Sequence, residues 1–140
     1  MPLLTRLFIK TGFVYFVLAL VVGLLMAVQA VWKLAIPTAG LFPVYVHLLV
    51  VGWLTMLIIG VAFWMFPKYT REQPRGNEKV GWASYFLLNI GLLLRVISEP
   101  TSSMNAPGSL WGVLLAVGAL LQWMGGMAFV VNTWWRVKEK

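Results

Sequence analysis

The sequence is poor in the residues on which most soluble active sites depend. It has no cysteine, so disulfides, thiolate metal sites, thioether-attached haem and cysteine nucleophiles are excluded. Its four acidic residues, Glu72, Glu78, Glu99 and Glu139, all fall near the ends of apolar segments. The sequence shows no pair of carboxylates and no nucleophile–base set, so it does not indicate hydrolytic catalysis. Histidine occurs once, at His47.

Charge is also scarce, and hydrophobic residues take its place. Only 11% of the 140 residues are charged and 61% are hydrophobic, whereas about a quarter of a typical soluble domain is charged. The 8 Trp and 13 Gly suit packed membrane helices and their interfaces. The net charge of +7 comes from Lys and Arg at segment ends, which favours contact with lipid headgroups over binding of nucleic acid. At this length we expect one domain, residues 1–140.

Charged residues and prolines divide the chain into four apolar segments. We predict transmembrane helices over about residues 11–32, 44–66, 80–98 and 109–135, because about 20 residues cross the hydrocarbon core of a bilayer. The first segment has an apolar run longer than a typical signal-peptide core, so we predict that it is a span. The predicted fold is all-α, an integral membrane four-helix bundle in contact with the lipid bilayer.

Lysine and arginine are distributed unevenly between the two ends of the predicted spans. Nine lie in the N-terminal tail, the loop between the second and third spans, and the C-terminal tail, whereas only Lys33 and Arg95 lie at the opposite end. Positive residues favour the cytoplasmic side. We therefore expect both termini to be cytoplasmic, in a multi-pass protein of the inner (cytoplasmic) membrane.

Three polar side chains fall at a similar depth near the predicted outer face. His47 begins the second span, Arg95 ends the third and Gln29 ends the first. Imidazole is a good iron ligand whose second nitrogen needs an acceptor, which Gln29 can supply, and a guanidinium binds carboxylates. The layer suits haem b on His47 with its propionates toward Arg95. In the structural alternative, Arg95 pairs with Glu99 at i,i+4, and Gln29 and His47 are ordinary hydrogen-bonded residues of the interface.

Two further patterns concern helix packing. Gly52, Met56 and Gly60 form a stripe of four-residue spacing on the second span, where small residues permit close helix contact. Asn89 and Gln122 fall near mid-membrane on the third and fourth spans, and a buried amide needs a partner. We predict that these two amides bond to each other, the alternative being that they line a transport path.

Tryptophan and tyrosine residues gather toward both membrane surfaces, as anchoring residues do. The outer belt comprises Trp32, Tyr45 and Trp111, and the inner belt comprises Trp64, Trp82, Tyr85, Trp134 and Trp135. Trp53 and Trp123 lie deeper and are predicted to pack inside the bundle.

The segment VHLLVVGWLTMLIIGVAFWMFP, which begins at residue 46, resembles the second transmembrane helix of the catalytic subunit of haem–copper oxidases, especially the cbb3 oxidase and nitric oxide reductase branch. In that family a histidine near the outer start of this helix ligates the low-spin haem b, and His47 matches that ligand. Gly52, Trp53, Gly60 and Pro67 match the looser pattern around it. The resemblance covers about 25 residues, with the order of four spans as weaker support.

The resemblance implies a haem b protein that transfers electrons or binds a diatomic gas, with His47 as iron ligand. The family's catalytic subunit uses further histidines for copper and the high-spin haem, and this chain has none, so oxidase chemistry by this chain alone is excluded. The second axial position has three candidates: His47 of a second copy in a homo-oligomer, a methionine such as Met26 or Met104, or an exchangeable gas. The alternatives are a cofactor-free accessory or assembly subunit of a respiratory membrane complex, and a small transporter.

Overall fold

The chain folds into four long helices. The computed structural model describes residues 1–33, 38, 40–71, 74–102 and 109–137. The helices are α1 (Leu3–Trp32), α2 (Leu41–Met65), α3 (Glu78–Ser102) and α4 (Leu110–Thr133), and a 3-10 turn, Trp134–Arg136, follows α4. Each helix is long and apolar enough to cross a membrane. The predicted all-α fold of four transmembrane helices is therefore confirmed.

The helices extend beyond the predicted spans. α1 begins at Leu3, eight residues before the predicted start at residue 11, and includes Arg6 and Lys10. α3 continues to Ser102 through Pro100, in its last turn. Charged residues mark where an apolar segment meets water, but a helix satisfies its backbone hydrogen bonds internally and continues past that point. The sequence therefore located the membrane segments better than the helix ends.

A π-helical stretch interrupts α2 directly after His47. It runs over Leu48–Thr55, and the Thr55 hydroxyl donates to the Val50 carbonyl at 2.8 Å. Buried residues follow one another here at intervals of four: Val44, Leu48, Gly52, Met56 and Gly60. In an α-helix a step of four residues overshoots one turn by roughly 40°. The wider π turns reduce that overshoot and keep the buried stripe on one face.

Glycines of α2 let α1 approach closely, as the stripe predicted. A Cβ on Gly52 would stand 2.7 Å from the Tyr15 Cβ, and one on Gly60 would stand 3.0 Å from the Phe8 Cβ. The core that forms between α1, α2 and α3 contains Phe8, Tyr15, Ala19, Val44, Leu48, Met56, Ile59, Phe63, Leu88 and Leu92. The predicted packing role of Gly52, Met56 and Gly60 is confirmed.

Helix α4 packs mainly against α3 and exposes much of its surface. A Cβ on Gly91 would stand 2.7 Å from the Gly118 carbonyl oxygen, so the two backbones nearly touch. Trp123 is 64% exposed, so the prediction that it packs inside is wrong. With one main neighbour, α4 has only one face to bury. Trp53, in contrast, stacks on Phe16 of α1 with ring centroids 4.3 Å apart.

The end of α4 is tied to the end of α2 by a buried arginine. Arg136 is 1% exposed. Its Nε donates to the Pro67 carbonyl at 3.1 Å, and one Nη donates to the carbonyls of Phe63 and Phe66 at 3.2 and 2.9 Å. The last carbonyls of a helix have no intrahelical partner and carry partial negative charge. Arg136 therefore caps the C-terminus of α2 and fixes that end of the bundle.

The contact of Gly91 with α4 generates a prediction. We expect Gly91→Ala to destabilise the protein by about 1–3 kcal/mol, because the added methyl group meets the backbone of α4 and cannot be accommodated by a side-chain movement. Gly126→Ala is the matched control, since a Cβ there meets nothing within 4 Å. Unfolding in detergent micelles, followed by far-UV circular dichroism, measures both. Equal stability of the two variants would contradict the close α3–α4 contact.

Candidate functional site

The candidate site centres on the imidazole of His47. His47 lies in the second turn of α2, and 23% of its side chain is exposed. Its Nδ1 is 2.8 Å from the carbonyl oxygen of Pro43, one turn earlier in the same helix. A carbonyl oxygen only accepts, so Nδ1 carries the hydrogen and donates it. The other ring nitrogen, Nε2, makes no hydrogen bond to the residues that the structure describes.

A glutamate from α3 meets the same edge of the imidazole. Glu99 is 6% exposed, and its Oε1 is 3.2 Å from His47 Nδ1. The same oxygen accepts from Arg95, at 3.1 Å from Nε and 3.0 Å from one Nη. The Arg95–Glu99 pair of the structural alternative is thus confirmed. The participation of Glu99 in a cluster with His47 was missed, because the sequence places it only at a segment end.

Gly40 brings the start of α2 against the end of α3. It adopts a left-handed conformation with φ of 76°, which glycine tolerates best. A Cβ at this position would stand 2.7 Å from the Glu99 carbonyl oxygen and 2.8 Å from Pro100 Cα. The backbone of α3 therefore lies directly against the turn that precedes α2. This approach places Glu99 beside His47.

The charges of the cluster balance. Glu99 contributes a carboxylate and Arg95 a guanidinium, and both are largely withdrawn from solvent. A charge in a membrane span is costly unless it is paired. With the guanidinium as counter-ion of the carboxylate, the imidazole needs to contribute only a hydrogen bond.

Gln29 does not join the cluster. Its side chain makes no hydrogen bond to His47 or Arg95 among the described residues. The ring of Tyr45 lies beside Gly23 of α1, 3.0 Å from where a Cβ would stand. Gln29 is six residues further along α1, roughly 9 Å at the rise of an α-helix. The acceptor for the second imidazole nitrogen is the Pro43 carbonyl, with Glu99 beside it, and not Gln29.

The methionines proposed as second axial ligands remain predictions. Met26 lies on α1 between Gly23 and Gln29 and is half-buried. Met104 lies outside the described residues. Neither is therefore placed against the imidazole by a contact of the described chain.

The donor set fits a haem better than a free metal ion. Among the described residues, no group of three or more His, Cys, Asp or Glu side chains gathers to hold a metal. A haem iron takes its equatorial ligands from the porphyrin and needs only axial ligands from protein. A ligating histidine usually donates its other ring N–H to a carbonyl or a carboxylate, and His47 does so at Nδ1. Val50, Leu54 and Ile58 continue inward along α2 as an exposed apolar surface.

The mid-membrane amides have other partners than predicted. Asn89 Oδ1 accepts from the Tyr15 hydroxyl at 2.8 Å, and Asn89 Nδ2 donates to the Tyr85 carbonyl at 2.7 Å. The predicted Asn89–Gln122 hydrogen bond is wrong. Gln122 packs beside Gly91, two residues from Asn89 and so on roughly the opposite face of α3. Asn89 therefore joins α3 to α1, whereas Gln122 Nε2 is buried without a partner in the described chain.

The aromatic residues of the two belts divide into exposed anchors and packed residues. Trp32, Trp64, Trp134 and Trp135 are all more than half exposed, as anchoring side chains are. Tyr85 instead points its hydroxyl at the Thr11 hydroxyl, 2.8 Å away. Tyr85 therefore links α3 to α1, in addition to any contact that it makes with the membrane–water interface.

Comparison with protein-family models, with curated proteins and with solved structures gives no match.

Asn89 has hydrogen-bond partners and Gln122 Nε2 has none in the described chain, so we expect substitutions at the two residues to differ in effect. We expect Asn89→Leu to lower stability by about 1–3 kcal/mol, since the buried Tyr15 hydroxyl loses its acceptor. Gln122→Met, of similar length, is expected to be neutral or stabilising because it removes a buried donor that has no partner in the described chain. The same unfolding assay in micelles measures both. A greater loss in Gln122→Met would show that Gln122 holds an essential contact and would contradict the prediction.

Proposed function

We propose that this chain is a membrane protein that binds haem b through Nε2 of His47 and acts in electron transfer or in the binding of a diatomic gas. The observation that carries the proposal is the hydrogen bond of His47 Nδ1 to the Pro43 carbonyl, with Glu99 on the same edge of the ring. This bond assigns the ring hydrogen to Nδ1 and leaves Nε2 with a lone pair. A lone pair on an oriented imidazole is what an iron ligand requires.

The residues around His47 support a haem in particular. Val50 and Leu54, one and two turns further along α2, are about half exposed and offer an apolar surface to a porphyrin. Arg95 uses Nε and one Nη for Glu99, and a guanidinium has five N–H donors in all. Its remaining donors are available to a propionate carboxylate. When bound, haem supplies an iron that changes oxidation state or takes a gas as ligand.

We propose that a second copy of the chain completes the site. A haem against the half-exposed surface of α2 has the protein on one side only, and a second copy would cover the other. A two-fold contact places the same patch of each copy against the other, so His47 of the second copy is one candidate for the second axial position. A methionine such as Met26 or Met104 and an exchangeable gas are the other two candidates. A partner from the respiratory chain supplies or accepts the electrons in the electron-transfer role.

We expect the purified protein to be coloured and to show a Soret band, and we expect His47→Ala to lose it. The side chain of His47 supplies the iron ligand, so its removal releases the haem. Gln29→Ala is the matched control, and we expect it to keep its haem because Gln29 makes no hydrogen bond to His47 among the described residues. Absorption spectra of the oxidised and dithionite-reduced protein, with haem counted per chain, measure this.

The spectrum also distinguishes the possible forms of the site. A sharp reduced α-band indicates two axial protein ligands, and a broad band that shifts with carbon monoxide indicates an open position. A colourless protein expressed with ample haem, or a His47→Ala variant that keeps all its haem, contradicts the proposal. The colourless outcome favours the cofactor-free accessory subunit.

We also propose that both termini are cytoplasmic and that the membrane is the inner (cytoplasmic) membrane. The nine Lys and Arg residues at one end of the bundle, against two at the other, support this orientation. It places His47 near the outer face. Fusions of alkaline phosphatase are expected to be inactive at residue 137 and active when inserted after Thr38, in the α1–α2 loop. The reverse pattern would place His47 near the cytoplasm.

A further inference from the structure

Glu99 lies beside the imidazole of His47, and this contact affects how strongly the imidazole binds a metal. We propose that Glu99 is a positioning residue that fixes the hydrogen of His47 on Nδ1 and strengthens Nε2 as a ligand. The effect on the imidazole stands on the geometry alone. The effect on an iron centre rests on the proposed haem function.

Two acceptors compete for a single hydrogen on Nδ1. The Pro43 carbonyl is 2.8 Å away and belongs to the same helix as His47. The Glu99 carboxylate oxygen is 3.2 Å away and comes from α3. The Pro43 contact is a hydrogen bond, whereas Glu99 is an ion-pair neighbour of the same nitrogen. A carboxylate beside the hydrogen of Nδ1 attracts it electrostatically, so Glu99 adds to the preference for a hydrogen on Nδ1 that the bond to Pro43 sets.

Arg95 makes this arrangement possible without a charge on the imidazole. Its guanidinium meets the same oxygen of Glu99 through two donors, at 3.0 and 3.1 Å. The carboxylate thus has its counter-ion on its own helix. An unpaired carboxylate in a membrane would instead be costly, because a buried charge needs a counter-ion.

Burial makes the contact rigid. Glu99 is 6% exposed, and the backbone around it lies against Gly40, whose added Cβ would clash with the Glu99 carbonyl. The backbone of Glu99 is therefore held against the turn that precedes α2. A fixed carboxylate behind an imidazole raises the basicity of the ligand. A more basic axial ligand favours ferric over ferrous iron and so lowers the midpoint potential of a haem.

The first experiment uses the fact that the chain has one histidine. The full chain labelled with 15N-histidine in micelles gives one pair of ring-nitrogen signals. We expect the native chain to show a protonated Nδ1 and a bare Nε2. In Glu99→Gln the two shifts are expected to move toward each other, as the hydrogen distributes over both nitrogens. Ring shifts that stay unchanged would show that the Pro43 carbonyl alone fixes the ring, and would overturn the proposal.

The second experiment measures the haem centre. We expect Glu99→Gln to raise the midpoint potential and to weaken haem binding by roughly 10-fold or more. Part of that rise comes from the unmatched charge of Arg95. The double variant Arg95→Gln/Glu99→Gln removes this charge and keeps the cluster neutral, so the rise that remains reports the loss of the carboxylate from His47. A double variant with the native potential would reduce Glu99 to a counter-ion of Arg95 and would overturn the proposal.

The two experiments separate failure of this proposal from failure of the proposed function. If the native chain holds no haem, the proposed function fails, whereas the nitrogen shifts still test the effect of Glu99 on the ring. If the chain holds haem but neither measurement responds to Glu99→Gln, only the role of Glu99 fails. Size-exclusion profiles and far-UV circular dichroism of every variant confirm that the fold is retained.

Discussion

A polar group inside the hydrocarbon is costly unless it finds a hydrogen-bond partner within the protein, and such contacts mark where the helices meet. Tyr15 and Asn89 join α1 to α3, and the Ser84 hydroxyl donates to the Gly125 carbonyl and joins α3 to α4. At one end of the bundle, Arg136 satisfies three carbonyls at the end of α2. At the other end, Glu99 joins α3 to His47. Because the surrounding lipid is as apolar as the core, these polar contacts and the close glycine contacts give the bundle its specific arrangement.

Hydropathy and length were enough to predict four spans, since a bilayer imposes both on any helix that crosses it. The ends of the helices were not predictable in the same way, because α1 and α3 continue past the charged residues that limit the apolar segments. The spacing of Gly52, Met56 and Gly60 located a real packing face, because small residues matter wherever two helices touch. The prediction that Trp123 packs inside the bundle was wrong. A sequence shows which residues are apolar, but not that α4 has only one main neighbour and leaves its other faces in lipid.

Part of the candidate site could be predicted from the sequence. An imidazole near the end of an apolar helix stands out in a sequence, and so does an arginine four residues before a glutamate, because both are expensive in a membrane. The contact between them depends on residues far apart in the chain: the turn at Gly40 has to place the start of α2 against the end of α3. Counting residues from the ends of the spans placed Gln29 in the same layer, although it is Gly23, six residues earlier in α1, that lies beside Tyr45. The error with Asn89 and Gln122 also came from depth alone, since the two residues lie on different sides of α3.

The two ring nitrogens of His47 have different surroundings. The proposed role as iron ligand concerns Nε2 and draws on residues of α2 alone. The geometry concerns the other nitrogen, and it involves α3 as well, through a carboxylate that already has Arg95 as its counter-ion. A histidine that only stabilised the bundle would not need a bare Nε2, whereas a ligand histidine would. The Pro43 carbonyl and Glu99 both lie at Nδ1, and the pairing of Glu99 with Arg95 adds no net charge to the membrane.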